Sequence, residues 1–554
     1  MIPIIDIFAG PGGLGEGFSS LLDEDQERIF RIGLSIEKDP HAHQTLKLRS
    51  FFRQFPPGDA PEDYYAFVRG EISISDLYEM HPIQAKAAGE EACCATLGPP
   101  DIGDLNGISN KEVDERIRII LGDRRDWLLI GGPPCQAYSL VGRSRRQERM
   151  LNEATDKRVG LYKEYLRIIA AHKPAVFVME NVKGLLSAKT ENEGIFQRIL
   201  VDLSDPVSAC ITEGETFAGQ DERTRYRIYS LVNPPRGMDI YGHPIFRPND
   251  FVIKAEDYGV PQRRHRVILL GIRDDVPPPQ GVLQRQPKVA LEDVIGELPA
   301  LRSGMTRSYT HTTIIKDKEG KPKKKRHYQK VIDSAQGWAE QISSFAQDID
   351  VILGTETAPD QVLPVAIGLE FSALAENTPK DLIGLKRWYH DARLGGILHH
   401  VSRKHLVEDL KRYLFASRFL IANGSFPRLE DYRKAGNDLL PNHDNAGSGK
   451  FTDRFRVQPP EIPATTITSH ISKDGHYFIH YDPAQCRTFT VREAARVQTF
   501  PDNYYFCGGR TQQFHQVGNA VPPYLARQIA AVVSEIFVAY ELLNLQEHGI
   551  VEDI

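Results

Sequence analysis

Short apolar runs recur along the chain and are separated by segments with a helical pattern. The apolar runs lie at residues 2–8, 31–36, 128–130, 175–179 and 267–272. Each is short enough to be a buried strand, and each ends at Gly, Pro or charged residues. Apolar residues return at helical spacing in segments such as 41–52, 110–121, 161–172 and 524–543. Buried strands that alternate with amphipathic helices predict an α/β fold.

Two segments and one boundary interrupt this alternation. Residues 54–100 have weak periodicity, and residues 204–250 are irregular and rich in Arg, Pro and Gly, so we expect both to be insertions. Residues 276–287 are rich in Pro and Gln and indicate a domain boundary. Thr490 and Glu493 have the spacing of a capping box, which predicts the start of a helix.

Composition narrows the class of protein. The chain has 554 residues, of which 41% are hydrophobic and 26% charged, as is typical of a soluble protein with several domains. Its six cysteines form no CxxC pair, so neither a zinc site nor a disulfide framework is indicated. No signal peptide and no apolar run of membrane-spanning length is visible. We therefore expect a cytoplasmic protein without a metal and without membrane contact.

Charge points to local rather than general contact with nucleic acid. The net charge is −6, whereas proteins that bind nucleic acid without specificity are usually basic. Residues 316–330 form a basic run that we interpret as a loop, either lying on a nucleic-acid backbone or simply solvated. Residues 384–415 interleave aromatic and basic side chains, a pattern that suits DNA contact. Residues 141–149 are either a mobile loop that touches phosphate or a solvated charged surface.

A glycine-rich turn follows the first predicted strand. Gly10, Gly12 and Gly15 match the Gly-x-Gly-x-x-Gly pattern, in which the backbone approaches a ligand closely. Glu37 follows the second predicted strand, where an acidic side chain binds ribose hydroxyls. This order of elements indicates an adenosine-type cofactor, with or without a pyrophosphate. Asp104 is placed either to meet an adenine edge or to cap the next helix.

Candidate catalytic side chains follow later strands. Cys135 comes after an apolar run and the turn GGPP, and is either a nucleophile or a small core residue. Glu180 follows another apolar run, and is either an acid with a raised pKa or the cap of a turn. Gln262, Arg264 and Arg266 alternate and so share one face of an extended chain, which suits an anionic or carbonyl-bearing ligand.

In combination, these motifs resemble those of the DNA cytosine-5 methyltransferases of bacterial restriction–modification systems. The matching segments follow the family's order and span nearly the whole chain: DIFAGPGGLGEGF, the acid of SIEKDP, GGPPCQAYS, FVMENVKGLLS, DYGVPQRRHRVILLGIR, RTFTVREAARVQTFPDNY and QVGNAVPP. Between about residues 287 and 485 only PATTITSH matches, and in this family the target-recognition domain lies there.

The resemblance implies a Rossmann-like α/β methyltransferase domain with S-adenosylmethionine as its cofactor. Residues 1–286 would form the first part of this domain, residues 486–554 would return to it, and residues 287–485 would form a smaller target-recognition domain. The implied cofactor-binding residues are Phe8, Gly10, Gly12 and Leu14 at the methionine end, Glu37 at the ribose, Asp104 at the adenine, and Asn519 and Val521, which would close the pocket.

The resemblance also implies a reaction, the methylation of cytosine carbon 5 in a specific sequence of double-stranded DNA. Cys135 would attack carbon 6 of a flipped-out base, Glu180 would bind ring nitrogen 3 and the amino group, and Arg266 with Arg264 would bind the carbonyl oxygen. A monomeric enzyme and a cognate restriction endonuclease are expected. The alternatives are a cytosine methyltransferase for RNA, a silent DNA-binding regulator and a nicotinamide oxidoreductase.

Overall fold

The structure is a computed structural model that describes residues 1–98, 106–133, 157–187, 194–212, 224–316, 320, 322–356, 362–374, 383–436, 438–440 and 454–547. The chain divides into two compact units. Unit 1 contains Met1–Lys288, Tyr504–Gly508 and Asn519–Ile554, and unit 2 contains Val289–Asn503 and Gly509–Gly518. The segment 486–554, expected to return whole to the first domain, is thus divided between the two units.

A sheet of eight strands forms the centre of unit 1. Its strands are β1 (Ile2–Ile7), β2 (Phe30–Glu37), β3 (Ala92–Cys94), β4 (Leu128–Gly131), β5 (Val176–Val182), β6 (Tyr226–Tyr229), β7 (Val252–Lys254) and β8 (His265–Arg273). The spatial order is β3-β2-β1-β4-β5-β8-β6, and β7 also pairs with β8. The first five strands of this order are parallel, whereas β8 is antiparallel to β5, β6 and β7. The sheet confirms the predicted Rossmann-like α/β fold.

The register brings the carboxyl ends of the parallel strands to one edge of the sheet. Ile7 lies beside Gly131, and Gly131 lies beside Met179. The strand order reverses between β1 and β4, and in open α/β sheets ligands bind at such a switch point. Along the chain, the candidate residues Phe8, Cys135 and Glu180 come after Ile7, Gly131 and Met179.

The strands of unit 1 are buried on both faces, which explains their continuous apolar sequences. In β4, Leu128 and Ile130 belong to one hydrophobic cluster and Leu129 to another. The helix Pro523–Glu547 covers one face of the sheet through residues such as Ile529. Burial of each such side chain contributes about 1.5–3 kcal/mol.

Helices and shorter elements complete unit 1. The α-helices are Gly13–Ser19, Pro40–Arg53, Glu62–Arg69, Ile74–Met80, Pro82–Glu91, Asn110–Leu121, Lys157–His172, Ile195–Ser204, Pro206–Thr212 and Pro523–Glu547. The 3-10 helices are Lys183–Ser187, Pro248–Phe251 and Ala255–Asp257, and the short strands are Thr96–Leu97, Gly107–Ile108 and Gln262–Arg263. The helical stretch Arg510–Gln546 is long and apolar enough to cross a membrane, by length and composition only. Core helices of soluble proteins can have the same length and composition.

The two segments expected to be insertions each supply a strand of the central sheet. Residues 54–100 contain three helices and β3, which pairs with β2 at the edge of the sheet. Residues 204–250 contain β6, which pairs with β8. Both strands are short and are set among polar residues, so their sequences have too few apolar positions to reveal them. Neither segment is therefore wholly an insertion.

Unit 2 combines packed helices with small strand pairs, two of them antiparallel and one, Gly304–Met305 with Lys404–His405, parallel. Its α-helices are Glu292–Ile295, Ala335–Leu353, Gly384–Tyr389, Val407–Asn423, Leu429–Ala435, Val491–Val497 and Arg510–Asn519, and its 3-10 helices include Ala392–Leu394 and Ser469–Ser472. The strands are Gly304–Met305, Arg307–Lys316, Pro322–Lys330, Gly368–Ala373, Gly396–Val401, Lys404–His405 and Ala464–Thr465. The core of this unit lies around Trp338, Tyr413 and Phe455.

The capping box predicted at Thr490 is confirmed. The Thr490 hydroxyl accepts a hydrogen bond from the Glu493 amide, and the Glu493 carboxylate accepts one from the Thr490 amide. Arg487 donates two hydrogen bonds of 2.7 Å to the same carboxylate, and this pair is almost completely buried. The start of the helix Val491–Val497 is thus held by a buried polar network.

One expectation for unit 2 is wrong, and another stays untested. The run 316–330, expected to be a loop, is mostly strand, since Pro322–Lys330 pairs with Arg307–Lys316. Several residues of 384–415 are buried in the unit, whereas Arg393 and Lys404 are exposed, and contact of this segment with DNA stays a prediction. His400 bonds to the Thr490 hydroxyl and the Pro299 carbonyl. Thr490 and Pro299 lie about a hundred residues from His400 in the sequence, so the local sequence could not show that His400 is buried.

Candidate functional site

The turn after β1 adopts backbone conformations that glycine favours. Phe8, Gly10 and Gly12 have φ angles of 59°, 58° and 93°, and Gly12 caps the helix Gly13–Ser19. A residue with a Cβ adopts such angles at a cost on the order of 1–2 kcal/mol. Phe8 is therefore strained at the carboxyl end of β1, and strain of this kind is common at ligand sites.

The glycines of this turn have different surroundings. A Cβ added at Gly10 would meet no atom of the described residues within 4 Å. A Cβ added at Gly13 would lie 2.3 Å from the carbonyl oxygen of Val521, and one at Gly15 would lie 2.6 Å from the Ile32 side chain. Gly10 therefore has room for an approaching ligand, whereas Gly13 and Gly15 allow the helix to pack closely.

Glu37 ends β2 beside this turn. Its Oε2 accepts a hydrogen bond from the Gly10 amide at 2.8 Å, and its Oε1 accepts one from the Asp39 amide at 2.7 Å. Burial raises the pKa of Glu37, and the two amide donors oppose that rise. The carboxylate thus joins the end of β2 to the turn after β1 and is held in one orientation.

The remaining predicted cofactor residues are in several environments. The side chains of Leu14 and Val521 are buried in the same hydrophobic cluster of unit 1, so only their backbone is available to a ligand at the turn. Asn519 is exposed at the end of a helix. Asp104 lies outside the described residues. The structure thus brings Phe8, Gly10, Gly12, Glu37 and Val521 together.

Glu180 and Arg266 form an ion pair at the same edge of the sheet. Arg266 Nε lies 2.7 Å from Glu180 Oε1, and the two side chains are 18% and 14% exposed. The register of β5 with β8 places Ile268 opposite Glu180, so Arg266 is its diagonal neighbour on the same face. The pair is therefore partly protected from solvent and still accessible to a ligand.

The turn after β4 passes this ion pair. A Cβ added at Gly132 would lie 3.0 Å from Glu180 Oε2, so a larger residue there would crowd the carboxylate. The Asn181 side-chain amide donates to the Pro133 carbonyl at 3.4 Å, which holds the course of the turn. Cys135, two positions after Pro133, lies outside the described residues.

Arg264 is buried close to the pair, with 2% of its surface exposed. Burial lowers the pKa of Arg264, the charge of Arg266 lowers it further, and the charge of Glu180 opposes both. Gln262 is buried and Arg263 is exposed, so the exposures alternate as the sequence pattern indicates. Glu180, Arg264 and Arg266 thus form one charged group next to the turn after β4.

Two residues near these turns were not assigned a role from the sequence. Asp6 lies in β1 with no exposed surface, and in the described part of the chain neither of its oxygens has a hydrogen-bond partner. Burial raises its pKa well above the ordinary value. The sequence signal for Asp6 was an acid inside an apolar run. Tyr504, whose hydroxyl donates to the Pro11 carbonyl, had no such signal.

Comparison with known proteins places the chain in a family. The profile of the C-5 cytosine-specific DNA methylases matches residues 101–206 and 250–535, which is more than half of the chain. The chain belongs to this family. Like the rest of the family, it is a DNA (cytosine-5-)-methyltransferase, and its DNA substrate and its use of S-adenosylmethionine follow from the family and the fold.

Curated relatives of this methylase align along almost the whole chain. The type II methyltransferase M.Bpa9945I of Bacillus paralicheniformis is 30% identical over 548 residues, covering 96% of this chain and 98% of its own. M.DdeI of Desulfomicrobium norvegicum is 26% identical, covering 98% and 90%. The DNA (cytosine-5-)-methyltransferase M.ApeKI of Aeropyrum pernix is 25% identical, covering 97% and 98%. The methylase is thus similar over its full length to type II restriction–modification enzymes.

The methylase shows no metal site in the part that the structure describes. No group of three or more His, Cys, Asp or Glu side chains among those residues is arranged to hold an ion.

Proposed function

We propose that this methylase transfers a methyl group from S-adenosylmethionine to carbon 5 of a cytosine within one specific sequence of double-stranded DNA. It acts through a covalent adduct between Cys135 and a base flipped out of the duplex. The observation that supports this best is the ion pair of Glu180 and Arg266. The pair lies beside Gly132, on the turn that leads to Cys135.

Cys135 supplies the nucleophile. Carbon 5 of cytosine is too weakly nucleophilic to take up a methyl group unaided. Addition of the Cys135 thiolate to carbon 6 opens the 5,6 double bond and makes carbon 5 nucleophilic, so that one difficult step becomes two easier ones. After methylation, loss of the carbon 5 proton returns its electron pair to the ring, and the thiolate leaves from carbon 6.

Glu180 and the two arginines hold the ring during this addition. Glu180 hydrogen-bonds ring nitrogen 3 and the exocyclic amino group, which stabilises the adduct. Arg266 fixes the orientation of Glu180 through the 2.7 Å contact and, with Arg264, supplies donors for the ring carbonyl. One donor preorganised for developing charge lowers a barrier by roughly 3–4 kcal/mol.

The base must leave the duplex, because carbon 6 is inaccessible within the stack. The basic segment 141–149, which lies outside the described residues, closes over the flipped base in this proposal. Residues 287–485 act as the target-recognition domain and read base edges in the major groove. The target sequence is therefore expected to be set by unit 2 rather than by unit 1.

The turn after β1 fits S-adenosylmethionine. The open space at Gly10 lets the backbone approach the methionine end, with Phe8, Gly12 and Leu14 around it. The Glu37 carboxylate has lone pairs beyond those used by the two amides and accepts from the ribose hydroxyls. Asp104 meets the adenine, and Asn519 and Val521 close the pocket. The bound cofactor supplies an electrophilic methyl group, which these residues place.

The relatives' names support a role in a restriction–modification system. M.Bpa9945I and M.DdeI are both named type II methyltransferases. We infer that this methylase protects host DNA from a cognate endonuclease that cleaves the same sequence. It would do so in the cytoplasm, as a monomer that modifies one strand at a time.

The test is to map 5-methylcytosine at base resolution in DNA from a host without such methylation. The host expresses the wild-type chain, Cys135→Ala or Cys94→Ala. Cys94 is exposed in β3, so its variant controls for the loss of a thiol. We expect methylation at one short sequence with the wild type and Cys94→Ala, and none with Cys135→Ala. Methylation by folded Cys135→Ala would refute the covalent mechanism.

A substituted substrate separates the adduct from other causes of lost activity. Fluorine at carbon 5 cannot leave as a proton does, so a target duplex with 5-fluorocytosine should trap the enzyme covalently. We expect a denaturant-resistant protein–DNA complex with the wild type and none with Cys135→Ala. If wild-type protein methylates no DNA but methylates transfer RNA, the proposed DNA function is wrong and the RNA alternative holds.

A further inference from the structure

Unit 2 carries a basic β-hairpin that the proposed mechanism does not use. It consists of Arg307–Lys316 and Pro322–Lys330, which pair in antiparallel fashion from Arg307 with Lys330 to Lys316 with Pro322. We call these two strands the basic hairpin. None of their residues is buried, and Lys323, Lys324 and Lys325 are exposed.

The base of the hairpin is fixed to a helix of unit 2. The Glu408 carboxylate accepts hydrogen bonds from the Ser308 hydroxyl at 2.7 Å and from the Tyr309 amide at 2.8 Å. The Arg307 guanidinium lies over the Tyr328 ring, 4.3 Å from its centre. The hairpin is therefore anchored at one end and uncovered along the remainder of its length.

The charge of the hairpin is opposite to that of the chain as a whole. Its two strands contain seven Lys or Arg and no Asp or Glu, a net charge of +7, whereas the whole chain has a net charge of −6. The four consecutive bases Lys323, Lys324, Lys325 and Arg326 lie opposite Ile315, Ile314, Thr313 and Thr312, none of which is acidic. No ion pair joins Lys323, Lys325 or Arg326 to a carboxylate in the described part of the chain. This concentration of positive charge favours a polyanion as the binding partner of the hairpin.

We propose that the basic hairpin is an arm that binds the phosphate backbone of double-stranded DNA and supplies the larger part of the salt-dependent affinity of this acidic enzyme. The inference rests on the proposed function, which makes duplex DNA the polyanion that the enzyme meets. A two-stranded ribbon has the dimensions to lie in or along the major groove. Because side chains alternate along a strand, Lys323 and Lys325 face one side of the ribbon and Lys324 and Arg326 the other. Both faces can then reach phosphates across a groove.

The test compares two variants that lose the same charge. In the arm variant, Lys323, Lys324, Lys325 and Arg326 are each changed to Gln. In the control variant, four exposed bases elsewhere are changed to Gln: Lys86, Lys111, Arg118 and Lys434. The dissociation constant for fluorescent duplexes, with and without the mapped target site, is measured by anisotropy between about 50 and 200 mM salt.

For the arm variant we expect the slope of log affinity against log salt to fall by about three to four, since each phosphate contact contributes roughly 0.9. The loss should be equal on both duplexes, and the mapped target should not change. The control slope should stay within about one unit of the wild type. An unchanged slope in the arm variant, or equal losses in both variants, would overturn the proposal.

Calorimetric titration with S-adenosylmethionine and the melting temperature should not differ between the arm variant and the wild type, since the hairpin is uncovered. If the wild type methylates DNA and the arm variant has the wild-type slope of log affinity against log salt, the proposal for the hairpin is wrong and the proposed function stands. A wild type that binds DNA through the arm without methylating it would refute the proposed function alone. If the arm variant loses affinity for an acidic protein but not for DNA, the arm has another partner and the proposal fails.

Discussion

Neighbouring arginines on β8 and the strand before it have different surroundings. Arg266 contacts Glu180 at 2.7 Å and is mostly buried, whereas Arg263 is exposed. The two side chains have the same chemistry and lie three positions apart. They therefore allow the contribution of the ion pair to be separated from that of positive charge near DNA.

We expect Arg266→Ala to lower kcat/KM by about 10²–10³, because the variant loses a donor for developing charge and leaves Glu180 without its fixed orientation. Arg263→Ala should retain activity within about threefold, as surface changes usually do. Methyl transfer to a target duplex gives the kinetics, and thermal unfolding confirms that both variants fold. Equal losses in the two variants would show that the Glu180–Arg266 contact is not what matters.

At the scale of elements, two glycines near the turn after β1 have different roles: Gly10 leaves room for a ligand, and Gly13 allows close packing of a helix. A Cβ at Gly10 enters open space, whereas a Cβ at Gly13 meets the Val521 carbonyl. The methyl group of Gly10→Ala would occupy the space proposed for the cofactor. That of Gly13→Ala would force the helix Gly13–Ser19 away from the backbone at Val521.

We expect Gly10→Ala to weaken S-adenosylmethionine binding at least about tenfold while costing about 1–2 kcal/mol of stability, which is the strain of a positive φ. Gly13→Ala should cost more stability, since overpacking against backbone typically costs 1–3 kcal/mol or more. Calorimetric titration and denaturant unfolding measure the two effects. A Gly10→Ala variant with wild-type cofactor affinity would contradict the proposed position of the methionine end.

How well an element could be predicted depended on whether its signal is local. The helix Asn110–Leu121 and the capping box at Thr490 were predictable, because spacing and cap residues are adjacent in sequence. The strand Pro322–Lys330 was not, since its pairing partner and not its own pattern makes it a strand. Likewise, the approach of Arg266 to Glu180 depends on the antiparallel pairing of β8 with β5, which no single segment specifies.

At the scale of the whole molecule, unit 2 buries several uncharged histidines. Burial lowers the pKa of five of them, to about 4 for His400 and about 3 for His480; the five are His399, His400, His405, His476 and His480. In an unfolded chain a histidine has a pKa of about 6.5. Above that pH the five histidines are neutral in both the folded and the unfolded chain, and the free energy of unfolding has its full value. As the pH falls below it, the unfolded state takes up protons that the folded state excludes.

We therefore expect unit 2 to lose stability on acidification from about pH 7.5 to 5.5, by roughly 1.4 kcal/mol for each histidine whose folded pKa lies well below this window. Denaturant unfolding followed by tryptophan fluorescence in Trp127→Phe measures this, because the remaining Trp338 and Trp388 both belong to unit 2. The Arg487–Glu493 pair should not contribute here, because the pKa of Glu493 is lowered well below this range. Equal unfolding midpoints at both pH values would show that these histidines do not set the stability.

The domain organisation was predictable only in outline. The change of composition at 276–287 lies close to the end of the first segment of unit 1 at Lys288. The assignment of Val491–Val497 to unit 2 depends on contacts such as the hydrogen bond from Arg496 to the Val294 carbonyl, about two hundred residues away. Such a contact exists only once the chain has folded. The recognition role of residues 287–485 remains a prediction.

The division of unit 1 into three chain segments has a consequence for biosynthesis. The helix Pro523–Glu547 contacts Gly17 so closely that a Cβ there would lie 2.4 Å from Ala526. A nascent chain therefore cannot complete unit 1 until this helix has been translated, after every segment of unit 2. A product that terminates before this helix would leave one face of the central sheet without the helix that covers it. We therefore expect chains truncated before this helix to lack methyl-transfer activity.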